Sequence, residues 1–154
     1  MKTEELKRVS VDELMACRPC AYYTRGRVEK LWDGRDITIL ELLDLDIPDR
    51  DKLWGAFRVV NGSGLFIPLR IIKNAVICFA EHALEHEREL GREPDTRSWA
   101  AIDVAQKYLR GEATIEQLKS AADAAADAAY AADAAYAADR KWQVDCLRRI
   151  VEES

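Results

Sequence analysis

The chain has 154 residues, 49% of them apolar and 33% charged, and a formal net charge of −5. That length is enough to bury a real core in a globular domain, while the acidic excess and the lack of a dominant basic stripe argue against direct nucleic-acid binding. No uncharged apolar run nears the ~18 residues of a membrane span, and Met1-Lys2-Thr3-Glu4-Glu5 is too polar for a signal peptide, so the expectation is a cytoplasmic protein with reduced cysteines and no membrane contact.

Ser10-Val11-Asp12-Glu13 is a capping box: Ser10 can cap a helix and Glu13 can reach back to it. It predicts a first helix from Val11 to about Arg18, which Pro19 stops or uses to open the next. Tyr22, Tyr23, Val28, Leu31 and Trp32 supply apolar bulk to a second helix, and Asp33-Gly34-Arg35-Asp36 is a turn. The basic cluster Arg18, Arg25, Arg27, Lys30 and Arg35 reads as a solvated helix face. Thr38 with Glu41 makes another capping box ahead of Ile39, Leu40, Leu42 and Leu43, and Pro48-Asp49 opens a helix carrying Leu53, Trp54 and Phe57.

Asn61-Gly62-Ser63-Gly64 is the most flexible stretch. Asn-Gly between apolar flanks is a hairpin signal, but the flanks are short, and a loop is the preferred reading. Pro68 suits the start of a long helix ending near Leu90, with Gly91 as its stop. Ile72, Ala75, Val76, Phe79, Ala80 and Ala83 are spaced to form its buried face. Asp95 or Thr96 caps the next helix, which carries Trp99, Ile102, Ala105, Tyr108 and Leu109 and ends at Gly111.

Thr114 and Gln117 form a third box and launch an alanine-rich run from Ser120 to Asp139. Alanine is the best helix former and nothing interrupts the run, so one helix is expected from Thr114 to about Glu152. At ~1.5 Å per residue it would be roughly 58 Å long. An alanine helix is only marginally stable alone, so other helices must pack on it. Tyr130 and Tyr136 would reach sideways to core or partner, and Trp142, Leu147, Ile150 and Val151 would return the chain to the core.

Three groups carry conceivable chemistry. Cys17-Arg18-Pro19-Cys20 is a C-x-x-C, but the strands of a thioredoxin-like setting are missing. Cys78, His82 and His86 lie at four-residue steps on one helix face and, with Cys17 and Cys20, offer ligands for a tetrahedral metal site. His82-Ala83-Leu84-Glu85-His86 also matches an inverted zinc-peptidase string, but that chemistry needs a third protein ligand and a substrate cleft, the chain has only these two histidines, and the string lies in a helix crowded with Glu81, Glu87 and Glu89. The preferred reading is a small core cysteine with histidines drifting toward the exposed end, hence no catalytic residues, metal or cofactor. Arg97, Asp103, Arg110 and Glu112 read as a polar network joining helices, or as a partner contact, because arginine clamps carboxylates with paired hydrogen bonds.

The string Trp99 to Ala122, W-A-A-I-D-V-A-Q-K-Y-L-R-G-E-A-T-I-E-Q-L-K-S-A-A, the tail Cys146-Leu147-Arg148-Arg149-Ile150-Val151 and the alanine repeats between them resemble a known group. These are alanine-repeat proteins of bacterial and phage genomes, many labelled as immunity proteins, the cytosolic antidotes to polymorphic toxins. Pro94, Asp95 and Arg97 match its turn; Ala101, Ile102, Asp103 and Ala105 its helix; Tyr108, Arg110, Gly111 and Glu112 the helix end. The chain departs from the pattern at Ser98-Trp99, where a second arginine is usual, and Asp36 to Val60 is individual to it. The resemblance implies a non-enzymatic protein that binds and neutralises a protein toxin or defence effector. Phage origin would fit an anti-defence inhibitor. The alternatives are a small-molecule or metal-sequestering helical protein and a self-assembling structural one, a homo-oligomer.

The expected architecture is all-α: a single domain over 1–154 with about six to seven helices, short ones in 1–64 and three longer ones in 65–154, the last alanine-rich.

Overall fold

The computed structural model describes residues 6–121 and 139–154. Within them the all-α expectation holds: besides helices there is one two-stranded ribbon and one isolated bridge. The helices are α1 (Val11–Ala16), α2 (Arg25–Trp32), α3 (Ile39–Asp44), α4 (Asp49–Ala56), α5 (Leu69–Glu89), α6 (Thr96–Leu109), α7 over residues 115–121 and α8 (Arg140–Glu153). The chain forms two compact units. One is Met1–Ile72 with Lys141–Ser154, the other Lys73–Arg140.

In the first unit both predicted capping boxes form. The Glu13 amide donates to Ser10 Oγ at 3.1 Å and the Ser10 amide to Glu13 Oε1 at 3.2 Å. Thr38 and Glu41 repeat the exchange at 3.3 and 2.9 Å. α1 stops two residues short of the expected Arg18, because Arg18 precedes a proline and takes a left-handed φ of 52°. Tyr22 and Tyr23 lie ahead of α2, not within it: Thr24 is the cap, accepting from the Arg27 amide at 3.3 Å.

The segment expected to be a loop is a hairpin. β1 (Val59–Val60) pairs antiparallel with β2 (Ser63–Gly64), and Asn61 and Gly62 both have positive φ, 52° and 80°. This is the mirror-image turn that Asn-Gly favours, since its twist matches that of the flanking strands. The local turn chemistry outweighed the shortness of the flanks.

The core of this unit joins Val9, Ile37, Ile39, Leu43, Trp32, Phe66, Ile67 and Ile71 with Leu147 and Val151 of α8, all at most 2% exposed. Val9 and Ile37 exchange backbone hydrogen bonds at 2.8 and 3.1 Å, bracing the two strand-like segments ahead of α1 and α3. Arg148 of α8 reaches Asp44 at the end of α3 at 2.7 Å.

In the second unit α5 and α6 run antiparallel. Lys73 sits over the Tyr108 ring, Glu81 accepts from Gln106, and Arg88 sits over the Trp99 ring. Ala75, Phe79, Ala83 and Ile102 are buried between such contacts. Val76, assigned to the buried face by its spacing, is instead 46% exposed. Gly91 and Gly111 terminate α5 and α6 as expected, at φ 84° and 77°. In each, the residue after the glycine bonds back five positions, Arg92 to Glu87 at 3.0 Å and Glu112 to Lys107 at 2.8 Å. That pattern satisfies carbonyls left over at a helix end.

The single helix expected from Thr114 to Glu152 is not seen. Its box forms, with Thr114 and Gln117 exchanging bonds at 2.8 and 3.2 Å. However, Asp139 lies in a turn and the last helix is a separate one of 14 residues, α8. The alanine repeats between residues 122 and 138, with Tyr130 and Tyr136, lie outside the described residues. The tail of the chain does return to the core, burying Val144, Cys146, Leu147 and Val151.

Candidate functional site

The polar residues singled out in the sequence pair locally. Arg97 grips Asp95, the cap of α6, with two bonds of 2.8 and 3.0 Å, while the Arg97 amide donates to the same carboxylate at 2.8 Å. Those donors hold the Asp95 carboxyl down at about 2. Asp103 meets Lys107 one turn on at 2.8 Å. Arg110 and Glu112, either side of the Gly111 turn, are brought together at 3.1 Å.

Next to this helix the α5 terminus carries a second pair of clamps, absent from the polar residues singled out above. Arg88 holds Glu93 at 3.0 and 3.1 Å, and Arg92 holds Glu87 at 2.7 and 3.0 Å. Each fork lowers the carboxylate's pKa and raises that of its guanidinium. They link residues before Gly91 to residues after it, and so fix the direction in which the chain leaves α5. The signal was present as Glu and Arg five apart across a glycine stop.

His82 and His86 stack with centroids 6.5 Å apart, one helical turn separating them on α5. His82 Nε2 lies 3.3 Å from Asp139 Oδ2. Cys78, one turn before, is half-buried. Among the described residues no three His, Cys, Asp or Glu side chains converge as metal ligands would. Of the C-x-x-C pair, the Cys17 thiol donates to the Glu13 carbonyl at 3.6 Å, and Cys20 is exposed. Among the described residues no helix is long and apolar enough to cross a membrane.

The first unit contains a half-open cavity of about 140 Å³. Its walls come from the turn before α2, from α2 itself, from the α3–α4 connection and from α4: Cys20, Tyr23, Trp32, Ile47, Asp51 and Trp54 among them. The Tyr23 hydroxyl donates to Asp51 Oδ2 at 2.5 Å. Burial, and then this carboxylate, raise the Tyr23 pKa above its ordinary value. Trp32 packs edge-on against Phe66 at 6.3 Å, and the Arg58 guanidinium lies 4.5 Å over the Trp54 ring. In the sequence, Tyr23, Trp32 and Trp54 carry only the signal of apolar helix bulk. Nothing in their spacing joins Tyr23 to Asp51.

Charge divides sharply between the two units. Residues 1–72 and 141–154 hold 15 Lys and Arg against 15 Asp and Glu, whereas residues 73–140 hold 8 against 13. The whole excess of −5 therefore belongs to the second unit. Glu85, Glu89 and Glu116 are exposed there. No known protein family, curated protein or solved structure matches the chain.

Proposed function

We propose that this chain is a non-enzymatic binding protein that neutralises a basic protein toxin or defence effector by covering it, and that the second unit supplies the contact. The observation that carries this reading is the charge division: residues 73–140, which contain all of the resemblance to the alanine-repeat immunity proteins except the tail from Cys146 to Val151, hold the entire negative excess. Like charges gathered on one unit create a field that speeds encounter with a basic partner and disfavours acidic ones. The two arginine forks and the Asp95 cap give that unit fixed carboxylate positions, and the exposed Glu85, Glu89 and Glu116 leave further charge for a partner. A phage-encoded, anti-defence role is one form of the same binding activity.

The test is co-expression with the product of the adjacent gene, followed by gel filtration at two salt concentrations. The expected result is relief of that product's toxicity and a complex that weakens as salt rises. Replacing Glu85, Glu89 and Glu116 together by lysine should slow association while leaving the fold intact. An inactive neighbour, or a complex indifferent to both salt and charge reversal, would remove the proposal.

A further inference from the structure

The cavity of the first unit has a single charged wall. Of the residues around it only Asp51 has a carboxyl group and none is a lysine, arginine or histidine; the others are aromatic, aliphatic, glycine, proline and a thiol. Asp51 is only 23% exposed at its side chain, and Tyr23 holds one of its oxygens in place. Its nearest cation, Arg50 Nε at 3.5 Å, belongs to a side chain that is 67% exposed and spends its charge largely in water. A volume of about 140 Å³ matches one six-membered ring, since an apolar cavity of ~150 Å³ holds benzene, and the open side leaves a short substituent room to extend outward.

The chemistry of the walls selects among such guests. An anion meets the carboxylate and is repelled. A neutral hydrocarbon fills the space but strips water from Asp51 without replacing it, which costs free energy. A cation with an apolar body satisfies both demands, with N–H groups for the carboxylate and carbon for the indoles, and the aromatic faces favour its positive charge. Arg58 over Trp54 shows one of these rings already in that kind of contact. We infer that this cavity is a binding site for a small organic ammonium ion, its apolar body against Trp32 and Trp54 and its nitrogen toward the Asp51 carboxylate. This site is built wholly from residues of the first unit.

The experiment titrates the full chain with benzylammonium and, separately, with benzyl alcohol, which has the same shape and no charge. Tryptophan fluorescence and calorimetry follow binding. Two variants accompany it. Asp51→Asn removes the charge but keeps an acceptor for Tyr23, and Cys20→Phe puts bulk at the exposed edge of the cavity while leaving Asp51 in place. The expected result is saturable one-to-one binding of benzylammonium, about tenfold weaker binding of benzyl alcohol and of benzylammonium to Asp51→Asn, and none to Cys20→Phe. The inference is overturned if benzylammonium fails to saturate in the millimolar range, or if benzyl alcohol binds as well. Wild-type affinity in either variant overturns it too. The comparison of the two ligands uses the unaltered chain, so a variant that fails to fold does not spare the inference.

Discussion

Tyr23 and Asp51, 28 residues apart, are joined by a 2.5 Å hydrogen bond from phenol to carboxylate. The bond ties the turn before α2 to the first turn of α4, and so holds two sides of the cavity at a set distance. Neither partner is fully buried, but both are shielded enough that losing the bond would leave a carboxylate short of a donor.

Replacing Tyr23 by Phe should therefore destabilise the protein by about 1–3 kcal/mol, the range for a hydrogen bond to a charged group. Urea unfolding at neutral pH measures it. The raised Tyr23 pKa adds a pH signature: a tyrosine harder to ionise when folded contributes stability that is intact below the ordinary tyrosine pKa and drains away as pH rises through the folded value. The gap between wild type and Tyr23→Phe should hold steady up to about pH 10 and narrow above it. A gap that widens in alkali would show that the carboxylate does not hold the phenol in its protonated form.

Asp95 gives the opposite dependence. Its carboxyl is held at about 2 by Arg97, first through the guanidinium and then through the amide. The contribution is present above the ordinary aspartate pKa and is lost as pH falls toward about 2. Carbon-detected titration of the Asp95 carboxyl should show that low midpoint, and replacing Arg97 by Ala should move it up. An unmoved midpoint would mean the guanidinium is not the cause.

Two glycines of the hairpin should respond differently to alanine. Gly62 has φ of 80° and open space around it, so Gly62→Ala should cost only the left-handed penalty, about 1–2 kcal/mol. At Gly64 a Cβ would stand 1.7 Å from the Ile67 carbonyl oxygen, which is backbone and cannot swing aside. Gly64→Ala should cost about 3 kcal/mol or more. Thermal melts of the pair decide it, and equal losses would show that the chain after β2 gives way easily.

Leu147 is fully buried, and truncation to Ala should cost about 2–5 kcal/mol through lost burial and the cavity left behind. Its neighbour Arg148 makes a surface ion pair with Asp44, whose side chain is 68% exposed, so Arg148→Ala should cost less than about 1 kcal/mol. Chemical denaturation separates these. Similar values would mean that α8 is held by its charges and not by its apolar face.

What could be read from the sequence was whatever a few adjacent residues decide. The boxes at Ser10, Thr38 and Thr114 and the stops at Gly91 and Gly111 depend on neighbours three to five positions away, and each formed where expected. The hairpin was within reach too, since Asn61-Gly62 sets its own backbone, but two-residue strands leave no alternating pattern to notice. α2 starts later than the aromatic bulk at Tyr22 and Tyr23 suggests, because the local cap at Thr24 sets its first turn. The cavity could not be foreseen: its walls come from separate segments whose meeting depends on the whole core.

The first unit is assembled from residues far apart in the order of synthesis. Val144, Cys146, Leu147 and Val151 of α8 are buried in a core whose other members precede Lys73. As the chain emerges from a ribosome, that core stays open while the intervening 68 residues are made, and it can close only after α8 has cleared the exit tunnel. The second unit, continuous in sequence, is free to form beforehand. The acidic half of the chain is then made while the other half still waits for its last helix.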